Sequence, residues 1–479
     1  MLAQIVTWMS SFVLMLFLPR YLGDEAFGRL YFGISLTGLM GLMMDLGIGT
    51  LLVKEIARDH SKANLMLVNG SIIKILGWVV TLTAAMTFVF LSDYPNETIT
   101  IVAVLGVAKV FEGVGDLVHR VFYGLERMEY RSISVVVEKV FLSAIGVSML
   151  LLGFGAITIA IVMALSMLAN FVTSLYLLPR LFKIRFHMER STWRGLLVGG
   201  FPFFVSTTFS FIYYRIDIVM LSEMANDSVV GWYGAPYRLF DTLMFLPIIL
   251  QVAVFPVLSR LWQSSKDSLV ATARKILDIT IIAGVPIAVC MVMFAQHIIS
   301  ILFGLEEYTN SIILLQGLAA SLLLVYVDFV FATVLVSQDR QRQLSVVAIV
   351  ATAINIILNY FLIPYYQTTT HNGAIGAVIA TAATELAVMG MSLYLLPKGS
   401  FATSNLVIAV KAITAGLLMG LAIWLVESYF ENWVAGASAG MLMYIILLFA
   451  TKALHKEEVV FFFNLVSQRK SNIVPVQSK

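Results

Sequence analysis

Apolar runs long enough to cross a membrane recur from one end of this chain to the other, with little between them. A spanning helix needs about 20 consecutive apolar residues. In lipid such a run must satisfy its own backbone N–H and C=O groups, and a helix does so internally. Only 12% of the 479 residues are charged and 60% are hydrophobic. A soluble chain would carry about 25% charged residues. The chain is therefore expected to be an all-α polytopic membrane protein, with lipid as its main solvent.

The runs and their interruptions suggest fourteen spans. They fall at 2–19, 28–52, 64–91, 99–119, 133–152, 156–179 and 196–222, then 229–257, 276–303, 312–336, 344–364, 373–396, 405–427 and 433–453. The N-terminus is apolar from its second residue and lacks the basic stretch and cleavage site of a signal peptide. It reads as a retained first span, and the absent basic flank leaves room for a natural start upstream of Met1.

Basic residues alternate between connections. Lys54, Arg58 and Lys62 lie on one side, followed by Arg120, Arg127 and Arg131, then by Arg180 to Arg194 and Arg260 to Lys275. Arg340, Arg342, Lys398 and a basic tail continue that side. The alternate connections hold only Arg20 and Arg29 and are otherwise acidic, with Asp93, Glu97, Glu223, Asp227, Glu306 and Glu307 among them. Positive charge marks the cytoplasmic face, so both termini are expected in the cytoplasm of a cell-membrane protein. The tail at 455–479 reads as a basic topological anchor, with a surface-lying amphipathic helix as the alternative.

The two halves echo each other. LGDEAFGRLYFGISL (22–36) resembles LSEMANDSVVGWYGAPYRL (221–239), which pairs Gly28 with Gly231. ERMEYRSISVV (126–136) resembles DRQRQLSVV (339–347), and GAITIA (155–160) resembles GAIGAVIA (373–380). An offset of about 200–220 residues corresponds to six spans. An even number of spans keeps both units in one orientation, so parallel repeats are expected, and transporters built this way carry substrate between their halves. The expected divisions are an N-terminal six-helix lobe (1–190), a C-terminal lobe (191–400), two additional helices (401–454) and the cytoplasmic tail (455–479).

Charges inside the spans are the functional candidates. A charge near the bilayer centre costs roughly 2.5–3.5 kcal/mol even on a mild scale. The stretch 201–261 nevertheless carries Arg215, Asp217, Arg238 and Asp241. Arg215 and Asp217 lie on different helix faces. A guanidinium in that place offers a planar fork of donors to phosphate oxygens, or pairs with a carboxylate on another span. Arg238 and Asp241, three apart, can pair with each other. Earlier, Lys109, Glu112, Asp116 and His119 form one stripe, in which Lys109–Glu112 and Glu112–Asp116 can interact along the helix. The stripe reads either as a polar seam or as a place where a carboxylate carries a coupling proton. Lys74, Lys139 and Lys411 can snorkel to the interface.

Several classes are excluded or unsupported. Net charge is only +3, so nothing points to nucleic acid. Cys290 is the sole cysteine, which rules out a disulfide framework or a thiolate metal site. No phosphate-binding loop, metal-ligand spacing or catalytic triad is visible, and no connection is long enough to hold an outer catalytic domain. Neither an enzyme nor a cofactor is expected.

RYLGDEAFGRLYFGISL, DLGIGTLLVKEIAR, YYRIDIVML, VGWYGAPYRLFDTLMFLPIILQVAVFPVLSRL, SQDRQRQLSVVAIVATAINIILNYFLIPYY and NGAIGAVIATAATE together resemble the polysaccharide-export, oligosaccharide flippase group of the MOP superfamily. The resemblance covers nearly the whole chain. It implies two six-helix lobes around a central cavity, two added helices, and alternating access that moves an isoprenoid-diphosphate-linked oligosaccharide to the outer leaflet. Cationic cavity residues for the diphosphate would be Arg215, Arg238, Lys74, Lys109 and Arg20. The acids Asp45, Glu112, Asp116, Asp217 and Asp241 would serve a coupling ion, H+ or Na+. Other glycan-assembly membrane proteins are the implied partners. In-span acids outnumber the bases, which suits the alternative of a cation-coupled multidrug exporter of the same superfamily.

Overall fold

The computed structural model describes residues 2–397 and 399–454, so the tail proposed as an anchor or surface helix lies outside the described residues. The fold is 88% helical, with no strand among those residues. In chain order the helices are α1 (Leu2–Asp45), α2 (Ile48–Arg58), α3 (Ala63–Leu91), α4 (Asn96–Gly124), α5 (Met128–Leu151) and α6 (Ala156–Leu177). Then come α7 (Arg190–Met224), α8 (Asp227–Leu243), α9 (Phe245–Ser264), α10 (Lys266–Met293), α11 (Ala295–Leu302) and α12 (Leu305–Tyr308). The last five are α13 (Ser311–Val336), α14 (Gln341–Thr370), α15 (Ala374–Leu395), α16 (Thr403–Phe430) and α17 (Trp433–Ala450).

Eleven helical segments among the described residues are long and apolar enough to cross a membrane. The protein is a multi-pass, all-α membrane protein. The expected fourteen spans and these eleven segments differ at identifiable places. α4 and α7 have the length, 29 and 35 residues, but stand outside the eleven. α4 carries Lys109, Glu112, Asp116 and Arg120 within about three turns, and α7 carries Arg215 and Asp217. The first two expected spans run together in α1. The connection expected at 20–27 is a break at one residue, Gly23 (φ 76°), with helix on both sides. The chain then turns at Leu46 and Gly47, both left-handed, before the short α2. The eighth expected span divides between α8 and α9 because Pro247 has no N–H for the Leu243 carbonyl and its ring crowds that oxygen.

Within the described residues the chain forms two compact units. One comprises 2–238, Ser300–Ser311 and Ala348–Ala380; the other comprises Leu239–Ile299, Ile312–Val347 and the described part of 381–454. In the first, Ile48, Leu52 and Ile56 on one face of α2 are buried against Leu117, Val121 and Phe122 of α4. In the second, α17 buries Gly436, Gly440, Tyr444 and Leu448, a four-residue spacing that makes one stripe. Gly440 lets Ile423 of α16 approach: a Cβ there would lie 2.5 Å from Ile423 Cγ1. The Tyr444 hydroxyl donates to the Ile282 carbonyl of α10 at 2.8 Å. The outward faces carry Leu417, Trp424, Leu442 and Ile446, all exposed, as a surface solvated by lipid requires.

One local device is directly testable. Asn432 caps α17, its side chain accepting from the N–H groups of Val434 and Ala435 at 3.0 and 3.1 Å. Asn432→Ala should cost about 1 kcal/mol, read as a small fall in the thermal midpoint of the detergent-solubilised protein.

Candidate functional site

All the contacts that follow lie within the first unit. Lys74, in the interior of α3, is 2% exposed. It does not snorkel to the interface, because its charge is met where it stands. Its Nζ is 2.6 Å from Asp45 Oδ1 at the end of α1 and 3.4 Å from Asp116 Oδ2 on α4. The Asp45 contact is short but poorly aligned for a hydrogen bond, so its attraction is chiefly ionic. Arg120, one turn along α4, gives Asp116 a second cation at 3.3 Å. Two bases and two acids thus form a neutral cluster. Lys109 and Glu112, expected to interact along α4, pair at 2.6 Å. Asp116 turns to Lys74 and Arg120.

His119 leads away from this cluster. Its Nε2 is 3.0 Å from the Ser174 hydroxyl, and Asn170 beside Ser174 donates to Glu138 at 2.6 Å. Glu138 in turn accepts from Lys139 at 2.8 Å. This chain of polar groups ties α4, α6 and α5 together.

A second constellation gathers on the aromatic face of α1. Phe27 and Tyr31, one turn apart, stack with ring centroids 5.6 Å apart. The Arg238 guanidinium of α8 lies 5.1 Å above the Phe27 ring and 5.5 Å from the Tyr31 ring. Arg215 of α7 donates to the Tyr31 hydroxyl at 3.0 Å and sits 5.9 Å from the Tyr237 ring. Buried Asp217 accepts from the Tyr233 hydroxyl at 2.6 Å. Arg20 stands apart, exposed, donating to the Ile301 carbonyl at 3.0 Å. Asp241 is exposed near the end of α8. Of the sequence candidates, the structure therefore brings together Lys74–Asp45–Asp116, Lys109–Glu112, and Arg215 with Arg238. It adds Phe27, Tyr31 and Tyr237, not named as site residues from sequence, and Arg120, read there as part of a connection but lying inside α4 beside Asp116. Aromatic residues are frequent in this chain, and only their i, i+4 spacing on α1 was visible in advance.

Helices α1 and α8 cross backbone to backbone, and the crossing is reciprocal. A Cβ on Gly28 would lie 1.9 Å from the Asp227 carbonyl oxygen; one on Gly231 would lie 2.1 Å from that of Asp24. Arg29, just after Gly28, donates its Nε to Asp227 at 2.8 Å. Trp232, just after Gly231, donates its Nε1 to Asp24 at 2.8 Å. The segments aligned as repeats in the sequence thus meet face to face, each glycine receiving the carbonyl of the other helix four residues before its own partner. Arg29 also binds Glu97 at 2.5 Å and the carboxylate of Glu25, which joins α4 to the crossing.

Residues 1–262, more than half the chain, match the model of the family described as polysaccharide biosynthesis protein. The chain belongs to that family. Every candidate site residue lies inside the matched stretch. A MatE family model also matches, over residues 202–361. Among named relatives, a candidate O-antigen transporter of Shigella dysenteriae is 27% identical over 197 residues, covering 40% of this chain and 46% of that protein. The chain spans about half the length of the first curated relatives it matches. In fold, it is similar to the lipid II flippase MurJ in an inward closed conformation, with a TM-score of 0.75 at 14% identity over 97% of this chain and 99% of that one. An inward-facing multidrug resistance MATE transporter follows, at TM-score 0.66 and 15% identity over 81% and 94%. The polysaccharide biosynthesis family thus supplies the identity of the chain, and the MurJ- and MATE-like arrangement its fold.

Proposed function

We propose that this protein is a flippase that carries an isoprenoid-diphosphate-linked oligosaccharide from the cytoplasmic to the outer leaflet of the cell membrane. The reading rests on family membership and on one observation in particular: two guanidiniums converge on Tyr31, Arg238 over its ring and that of Phe27, Arg215 donating to its hydroxyl. A guanidinium presents a planar fork of donors that matches the oxygens of a diphosphate, and two of them near one tyrosine concentrate that chemistry. The protein moves its substrate and makes no covalent bond to it. Alternating access would involve the lobes 1–190 and 191–400, with 401–454 as an addition, and both termini in the cytoplasm. Coupling to H+ or Na+, and association with glycan-assembly proteins, belong to the same proposal.

The competing reading, a cation-coupled multidrug exporter, drew on the excess of in-span acids. Two of them, Asp45 and Asp116, are neutralised by Lys74 and Arg120, and Glu112 is paired with Lys109. The same pairs occupy Lys74 and Lys109, so the choice of the flippase rests on family membership and on Arg215 and Arg238.

Binding of a long-chain isoprenoid diphosphate to the purified protein tests the reading. Charge-assisted hydrogen bonds contribute about 1.5–3 kcal/mol each, so Arg215→Ala should weaken binding roughly 10- to 150-fold. Tyr31→Phe, which removes only the hydroxyl that orients Arg215, should weaken it less. Equal affinity for the intact protein and Arg215→Ala would return Arg215 to a structural role.

A further inference from the structure

The link between α6 and α7 departs from the helical pattern. Residues 182–189 lie outside any helix, Glu189 at their end is extended (φ −130°, ψ 104°), and α3 holds their backbone. Asn64 donates to the Arg185 carbonyl at 2.8 Å and accepts from the Arg185 N–H at 2.9 Å. Asn69 donates to the His187 carbonyl at 3.1 Å and accepts from the Glu189 N–H at 2.9 Å. The Trp193 indole donates to the same Asn69 oxygen at 2.9 Å. Bonds to residues 185, 187 and 189 fix one edge of an extended strap, so its side chains must alternate between two faces. Lys183, Arg185 and His187 fall on one face; Ile184, Phe186 and Met188 fall on the other. The apolar row is open, at 46%, 79% and 44% exposure.

Three further observations identify what covers it. At the end of α6, exposed Tyr176 lies beneath the Arg180 guanidinium, 5.1 Å from it. An outward-facing tyrosine with a basic partner at a helix end is the usual occupant of the headgroup zone, and the strap begins a few residues beyond it. The neighbouring charges are otherwise basic: Arg180, Lys183, Arg185, Arg190 and Arg194. The single acid, Glu189, is engaged by the hydroxyls of Ser191 and Thr192, and those hydrogen bonds hold its carboxyl below the usual range.

We infer that residues 183–188 form a fixed membrane-surface strap. Ile184, Phe186 and Met188 enter the acyl boundary of the leaflet on the basic side, and Lys183 and Arg185 bind anionic phospholipid headgroups. An amphipathic segment with basic residues on its polar side binds such an interface by both forces together. The assignment stands apart from what the protein transports.

A nitroxide scan of positions 183–188 in proteoliposomes tests it. Cys290→Ser removes the only native thiol, and each position then takes one cysteine in turn. The expected result is a period of two. Labels at 184, 186 and 188 meet oxygen dissolved in lipid, and those at 183, 185 and 187 meet an aqueous nickel chelate. In vesicles containing phosphatidylglycerol, K183Q/R185Q should reduce the phosphatidylglycerol retained on purification several-fold. Asn64 and Asn69 grip only backbone atoms of the strap, so an unchanged thermal midpoint should accompany these replacements. Nickel reaching 186 as readily as 187 would overturn the apolar half. Retention unchanged in K183Q/R185Q would overturn the headgroup half.

Discussion

Gly231→Ala should destabilise the protein by about 3 kcal/mol, the upper end of the usual cost of overpacking. The new methyl would lie 2.1 Å from the carbonyl oxygen of Asp24 and 2.8 Å from its carbonyl carbon. Both are backbone atoms and cannot swing aside as a side chain can. The two helices must separate, and separation stretches Trp232–Asp24 and Arg29–Asp227 together. Gly28→Ala should act alike, since its Cβ would meet Asp227 at 1.9 Å. Gly390→Ala is the control of opposite sign. Nothing lies within 4 Å of that position, and alanine in a helix gains up to about 1 kcal/mol over glycine. Thermal unfolding in detergent measures all three. A Gly231→Ala midpoint at or above that of the intact protein would contradict the backbone crossing.

The second large effect is expected in the Lys74 cluster, where burial decides which partner matters more. Lys74 is 2% exposed, whereas the Asp45 and Asp116 side chains are 32% and 37% exposed. Deprived of Lys74, the acids can still turn towards water, and Asp116 keeps Arg120. Deprived of both acids, Lys74 is an uncompensated buried charge. Asp45→Asn with Asp116→Asn should therefore cost about 3–5 kcal/mol, and Lys74→Met should cost less. Adding Lys74→Met to the double variant should recover most of the loss, because a charge-free site of similar volume is tolerated. The same triple variant separates two roles. Folded protein without ion-dependent transport would give the acids a coupling role; folded protein with unaltered transport would make the cluster purely structural.

The all-helical membrane fold was legible because lipid imposes one rule on every span. Its finer divisions were not. Gly23 breaks α1 without ending it, and a glycine in an apolar run does not announce which it will do. Pro247 was visible, but prolines at span ends are common and only the structure shows a helix divided there. The repeat alignment set Gly28 beside Gly231, and both glycines stand at the crossing of α1 and α8. That the paired segments touch, each through its own glycine, is a tertiary fact with no sequence period behind it.

The site divides in the same way. Lys109–Glu112 was readable, since helical geometry sets its spacing. Lys74, Asp45 and Asp116 come from three helices, and no spacing joins them. Arg29 counted only as one of two basic residues on the otherwise acidic connections, yet it binds Glu25, Glu97 and Asp227. Tyr31, visible only as a repeat position, was not marked as a site residue, although Arg215 and Arg238 both converge on it. The alternation in 183–188 was too short to stand out beside helices several times its length.

The most direct measurement is transfer of a fluorescent isoprenoid-diphosphate oligosaccharide across proteoliposomes, for the intact protein and for Arg215→Ala. Transfer by the intact protein is predicted, and its loss in Arg215→Ala at an unchanged thermal midpoint. An intact protein that leaves this lipid in place while driving proton-coupled efflux of an organic cation would contradict the flippase.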